Sequence, residues 1–186
     1  MELWDAYDAN GCRTGGTLVR GEPVPDGVYH LVAGILVEHA DGTLLLMLRD
    51  PNKDTWPGVY EATSGGAALR GETPEEAARR ELFEETGVRA ETLIPLYEEI
   101  SHRRHGVYRG FLCKTDCDKQ SITLQKGETA GYLWATRDEV RDMMDEVPCR
   151  CIIQNGVRAY LGLPDDGTSD GFRLLTEKHA SCRIND

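Results

Sequence analysis

GETPEEAARRELFEETGV, residues 71–88, places six glutamates in eighteen positions against two arginines. Its ends are set by local chemistry. Thr73, Pro74 and Glu76 read as an N-cap, a proline at the first helical position and a capping-box partner. Gly87 is the left-handed stop. The spacing predicts a helix over 74–86. At roughly 100° per residue, with Glu81 as zero, Glu85 falls at about +40° and Glu84 at about −60°. Ala77, Ala78 and Leu82 fall at about −40°, +60° and +100°. Glu81, Glu84 and Glu85 therefore share the face that turns inward, whereas Glu75 and Glu76 form a solvated face. There Arg79 is expected to pair with Glu75 and Arg80 with Glu76. Three carboxylates leaving bulk water must protonate, pair or bind cations. With little positive charge nearby in sequence, Mg²⁺ or Mn²⁺ is the natural partner.

The rest of the chain frames that helix. Its 186 residues suffice for one domain with extensions, and 40% hydrophobic with 28% charged residues is ordinary for a globular protein. A net charge of −11 argues against broad nucleic-acid or anionic-membrane binding, since both need a positive field. No apolar run approaches a membrane span, and MELWDAYDANG does not read as a signal peptide, so a cytoplasmic protein is expected. The six cysteines, at scattered spacings without a CxxC pair, read as reduced structural thiols.

Residues 1–27 carry turn signals at Asp8–Gly11 and Gly15-Gly16 and read as a hairpin extension before a main domain over 28–148. Strands are predicted near 29–38, 43–49, 92–100, 106–115 and 130–135, with a hairpin turn at Ala40-Asp41-Gly42. Further helices are predicted over 137–146 and 149–161, the latter within a helical extension of 149–186. That extension carries no legible motif; a packing helix or a homodimer contact both suit it. Strands with few helices argue for an α+β fold.

Gly66, Glu72 and the run Arg80-Glu81-Leu82-Phe83-Glu84-Glu85-Thr86-Gly87-Val88 resemble the Nudix box at every fixed position. Such a pattern recurs by chance about once in a billion starts at average composition. The resemblance, confined to 66–88, implies a Nudix fold: a mixed sheet between helices, with the box as loop–helix–loop. It implies hydrolysis, by water, of a diphosphate linkage in a nucleoside-diphosphate-linked or related small molecule. Glu84 and Glu85 would be the main ligands of Mg²⁺ or Mn²⁺, with Glu81 and the Gly66 carbonyl completing the set. Arg80 would orient the glutamates and Glu72 would support the loop. A further catalytic glutamate often comes from a late segment, and Glu128, six residues before Trp134, matches it.

WDAYDANGCRTG, GVYHLVAGILV and TWPGVYEATSGG also resemble the branch that includes isopentenyl-diphosphate isomerase. The isomerase's catalytic cysteine, glycine and histidine are replaced here by Gly65-Gly66-Ala67. His30 occupies one early histidine position, but the partner position holds Pro23. This argues against the isomerase, and the intact box argues against a non-catalytic ligand sensor. The isolated His30 is expected to be a satisfied core histidine. For the substrate, Arg103 and Arg104 of the basic turn 102–105 could reach phosphates or form a solvated tip. Trp56, Tyr60 and Tyr108 could stack on a base or fill the core.

Overall fold

The computed structural model describes residues 1–146, 148–164, 167, 170 and 172–175. An N-terminal hairpin comprises β1 (Leu3–Tyr7) and β2 (Arg13–Val19). The next strands are β3 (His30–His39), β4 (Leu44–Arg49), β5 (Tyr60–Glu61) and β6 (Ser64–Ala67). Helix α1 (Pro74–Thr86) follows, then β7 (Ile94–Ser101), β8 (Gly106–Thr115) and β9 (Thr129–Ala135). Last come α2 (Arg137–Asp145), β10 (Cys151–Ile152), α3 (Asn155–Tyr160) and β11 (Phe172–Leu174).

β3 is apolar almost throughout because both its faces are covered. Leu31, Ala33, Ile35 and Val37 pack with Ala77, Ala78 and Leu82 of α1, whereas Leu36 packs with Val140 of α2 and Val157 of α3. The mixed sheet therefore lies between helices, with strand order β10-β5-β4-β3-β8-β7-β11. β3 and β8 run parallel over ten residue pairs, from His30↔Gly106 to His39↔Thr115. β3 and β4 pair only at Glu38↔Leu44 and then diverge. Beyond that point β3 takes β6, whereas β4 takes β5 on one edge and β9 along its length. The short segment from Glu61 to Gly66 crosses this fork and brings two glycines under α1. Gly65 is needed there, because a Cβ would run into the Ala33 carbonyl oxygen.

On the opposite face Tyr97, fully buried, fills a slot between Gly110 of β8 and Gly156 of α3. Its hydroxyl donates to Gln154 Oε1, so the start of α3 is docked onto the sheet.

Three expectations change. Gly15 and Gly16 lie inside β2 rather than in a turn, Gly15 at φ 82°. Residues 149–161 do not form one helix: Cys151 and Ile152 pair in parallel with β5, and α3 begins only at Asn155. The β-branched Ile152-Ile153 step favours the extended form there. Arg80 does not pair with Glu76, because Glu76 closes the capping box on Thr73 and Arg80 turns inward. The five described cysteines are free thiols; Cys182 lies outside the described residues.

Candidate active site

Both ends of α1 are fixed as the local signals require. Thr73 and Glu76 form the reciprocal capping box, Pro74 opens the helix, and Gly87 ends it at φ 75°. With Ala77, Ala78 and Leu82 wholly buried, the rotation of the helix is set, and Glu81 and Glu85 come half-buried beside the glycines of β6. Glu84 stands at the exposed edge of the same face. The Arg79–Glu75 pair forms on the solvated side at 2.7 Å.

Arg80 is the hub. It holds Glu72 through two nitrogens at 2.7 and 2.9 Å, Glu81 at 2.6 Å and Glu84 at 3.3 Å, and it donates to the Ala67 carbonyl at 3.2 Å. Glu72 in turn accepts from the Leu69 N–H at 2.7 Å, tying the loop before the helix to the same guanidinium. Gly66 lies against Glu81: an added Cβ would stand 2.7 Å from its Oε1. A side chain there would displace the carboxylate, so this glycine is fixed by close approach.

Glu85 differs from its neighbours. Its Oε2 accepts from the Gly65 N–H at 3.0 Å, and among the described residues it has no cationic partner. Burial, then the nearby carboxylate of Glu61, pushes its pKa up to about 8, with Glu81 and Glu128 adding to the effect. Burial also raises Glu81, against the pull of Arg80.

These groups line a cleft of about 450 Å³. Glu128 faces it from the loop before β9, in an ion pair with Lys53. The N-terminal hairpin supplies another wall, where Arg20 pairs with Glu2 at 2.8 Å. The cleft thus holds Glu2, Glu81, Glu84, Glu85 and Glu128 against Arg20, Lys53 and Arg80, with each cation already engaged.

A second cavity, of about 970 Å³, has Glu61 in its wall. It brings together Trp56, Arg103, Arg104 and Tyr108, four of the five residues singled out for substrate contact; Tyr60 is not in its wall. Trp56 is 57% exposed at φ 51°, so it is no core residue. Glu61 pairs with Arg49 at 2.7 Å, and its charge is felt by Glu85. His30 is half-buried and stacks on Trp4 with ring centres 4.6 Å apart. Among the described residues its buried Nδ1 has no hydrogen-bond partner, so it is not the satisfied core histidine expected.

By donor chemistry the first cleft suits a hard divalent cation: carboxylates, a backbone carbonyl at Gly66 and one carboxylate without a counter-charge. Among the described residues no three acidic, histidine or cysteine side chains already stand together as a metal cluster. Arg80 holds Glu81 and Glu84 in place meanwhile. Lys53, Glu61, Arg20 and Arg158 escaped the sequence reading. Lys53 and Arg20 reach the first cleft through pairs with Glu128 and Glu2, and Glu61 and Arg158 reach the second cavity through the packing of β5 and α3, so no local spacing marks them; only Glu61, within VYEATSGG, lies in a stretch already singled out.

Comparison with known proteins identifies the family. The NUDIX domain model matches residues 28–152, more than half of the chain. An uncharacterized Nudix hydrolase of Listeria monocytogenes, lmo0368, is 33% identical over 140 residues, covering 75% of this chain and 83% of that protein. An isopentenyl-diphosphate Delta-isomerase of Salmonella heidelberg is 32% identical over 111 residues, covering 57% of this chain and 61% of its own. In fold, the crystal structure of DR0079 from Deinococcus radiodurans matches with a TM-score of 0.64 at 20% identity, over 87% of this chain and 98% of its own. The chain belongs to the Nudix hydrolase family.

Proposed function

We propose that the protein hydrolyses a diphosphate linkage in a nucleotide or related phosphorylated small molecule, with Mg²⁺ or Mn²⁺ as cofactor. The observation that carries this reading is Glu85, half-buried among carboxylates with no cation opposite it among the described residues, in a cleft whose cations are already paired. Glu81, Glu84, Glu85 and the Gly66 carbonyl would hold the metal. When bound, it would neutralise the diphosphate and lower the pKa of the attacking water.

The chain's own groups set the geometry. Arg80 fixes Glu81 and Glu84 and, through Glu72, the loop that carries Gly66. Lys53 is the cation best placed to exchange a carboxylate for a phosphate oxygen, which would release Glu128 to accept a proton from water. Water forms the new P–O bond, and the bridging P–O bond breaks with its electrons leaving on the departing phosphate. Trp56, Arg103 and Arg104 would hold the remainder of the substrate in the larger cavity.

The isomerase reading finds less support. Gly65, Gly66 and Ala67 stand where its thiol acid and histidine ligand would be. The larger cavity carries four arginines, Arg49, Arg103, Arg104 and Arg158, an environment ill-suited to an isoprenoid chain.

The test is phosphate release, coupled to a phosphatase, with Mg²⁺ or Mn²⁺ over nucleoside triphosphates, ADP-ribose, dinucleoside polyphosphates, nucleotide sugars, FAD, NADH, CoA and isopentenyl diphosphate. Metal-dependent release from at least one nucleotide-type compound is expected. Silence across the panel, with ligand-induced thermal shifts, would replace this reading with a sensor.

A further inference from the structure

Ten of the fifteen described arginines hold a carboxylate, as expected in a chain of net charge −11. The remaining five are Arg70, Arg89, Arg103, Arg104 and Arg158, and three of these five line the 970 Å³ cavity. They come from two elements far apart in sequence: the β7–β8 turn supplies Arg103 and Arg104, and α3 supplies Arg158. A merely solvated rim would not need the fold to bring them together.

The three are also positioned. The turn is pinned by the Arg104 N–H on Ser101 Oγ at 3.3 Å and the His102 N–H on Asp170 at 2.6 Å. The Arg104 side chain reaches the Tyr108 hydroxyl. Arg158 donates through Nε to the Pro164 carbonyl at 2.7 Å, and among the described residues its two terminal nitrogens have no partner. Of the carboxylates in the wall, Glu61 is already paired with Arg49, and Glu99 is buried with a partner of its own. Three guanidinium groups exceed what a single carboxylate needs and match a dianionic phosphate, which the planar fork of arginine grips with two parallel bonds.

We propose that Arg103, Arg104 and Arg158 bind a phosphomonoester carried by the substrate apart from the diphosphate that is split. This rests on the reading of the two cavities as one substrate site. The substrate is then a compound with a terminal phosphate at one end and the scissile anhydride at the other. Trp56, Tyr108 and Gln154 line the cavity between, and they suit a ring and its hydroxyls.

The test uses the full chain in EDTA, so that metal chemistry does not enter. Calorimetric titration compares adenosine 3′,5′-bisphosphate with AMP, and fructose 1,6-bisphosphate with fructose 6-phosphate. At least one bisphosphate should bind about tenfold or more tightly than its monophosphate, the effect of one or two charge-assisted hydrogen bonds. Arg158→Gln, and separately the double variant Arg103→Gln with Arg104→Gln, should bring that ratio toward one, and added salt should narrow it. Circular dichroism melting checks that each variant is folded. No difference in either pair, no binding, or a difference that survives both variants would overturn the proposal. A retained difference in a protein that hydrolyses nothing would leave this site standing and remove the hydrolase reading. Hydrolysis without the difference would do the reverse.

Discussion

Replacing Glu85 with glutamine should stabilise the metal-free protein above neutral pH. Its carboxyl titrates near 4.5 in the unfolded chain and near 8 in the fold, raised first by burial and then by Glu61. Below pH 4.5 both states carry the proton and Glu85 costs nothing. Between pH 4.5 and 8 the folded protein holds a proton that the unfolded chain releases, so stability falls as pH rises. Above pH 8 the full cost is present, at most about 5 kcal/mol for that displacement. Urea unfolding in EDTA from pH 4 to 9 measures it. The wild type should lose stability across this window, and Glu85→Gln should lose less, with the two curves meeting at the acid end. Mg²⁺ should then restore the wild type at high pH but not the variant, because a ligand of the folded state stabilises by mass action. Parallel curves, or equal rescue of both, would show that Glu85 is not the uncompensated charge of the cleft.

Arg80→Met should destabilise by about 1–3 kcal/mol, since Glu72 and Glu81 lose their shared partner in a partly exposed site, and phosphate release should fall with it. Gly156→Ala should cost about 3 kcal/mol or prevent folding, because the new Cβ would enter the Tyr97 ring, and the urea midpoint reports it. Thr73→Ala removes the cap acceptor of the Glu76 N–H and should cost about 1 kcal/mol with turnover unchanged, as read by unfolding and phosphate release on one preparation.

Helix α1 was legible to the residue because everything that bounds it is local. Thr73, Pro74, Glu76 and Gly87 act within one turn of their own positions, and the buried alanines fix which glutamates face inward. The strand positions were legible for the same reason, through their apolar runs. Which strands meet was not. The fork between β3 and β4 depends on partners 29 to 91 residues away, and it carries Glu61 into the wall of the larger cavity. Residues 149–161 misled because a short edge strand has no pattern of its own until β5 pairs with it. Helical spacing offers Glu76 to Arg80, yet a capping box and a part-buried pair of carboxylates outweigh an exposed i,i+4 contact. Lys53 and Arg158 likewise owe their places to tertiary packing.

The measurement closest to the central claim is turnover of the best panel substrate at saturating Mg²⁺ by Glu84→Gln and Glu85→Gln. Each should lose about two to three orders of magnitude, the scale of a deleted group that stabilises transition-state charge, while the circular dichroism spectrum stays native. Native-like turnover in both variants would contradict the assignment of the cleft beneath α1 as the place where the diphosphate is split.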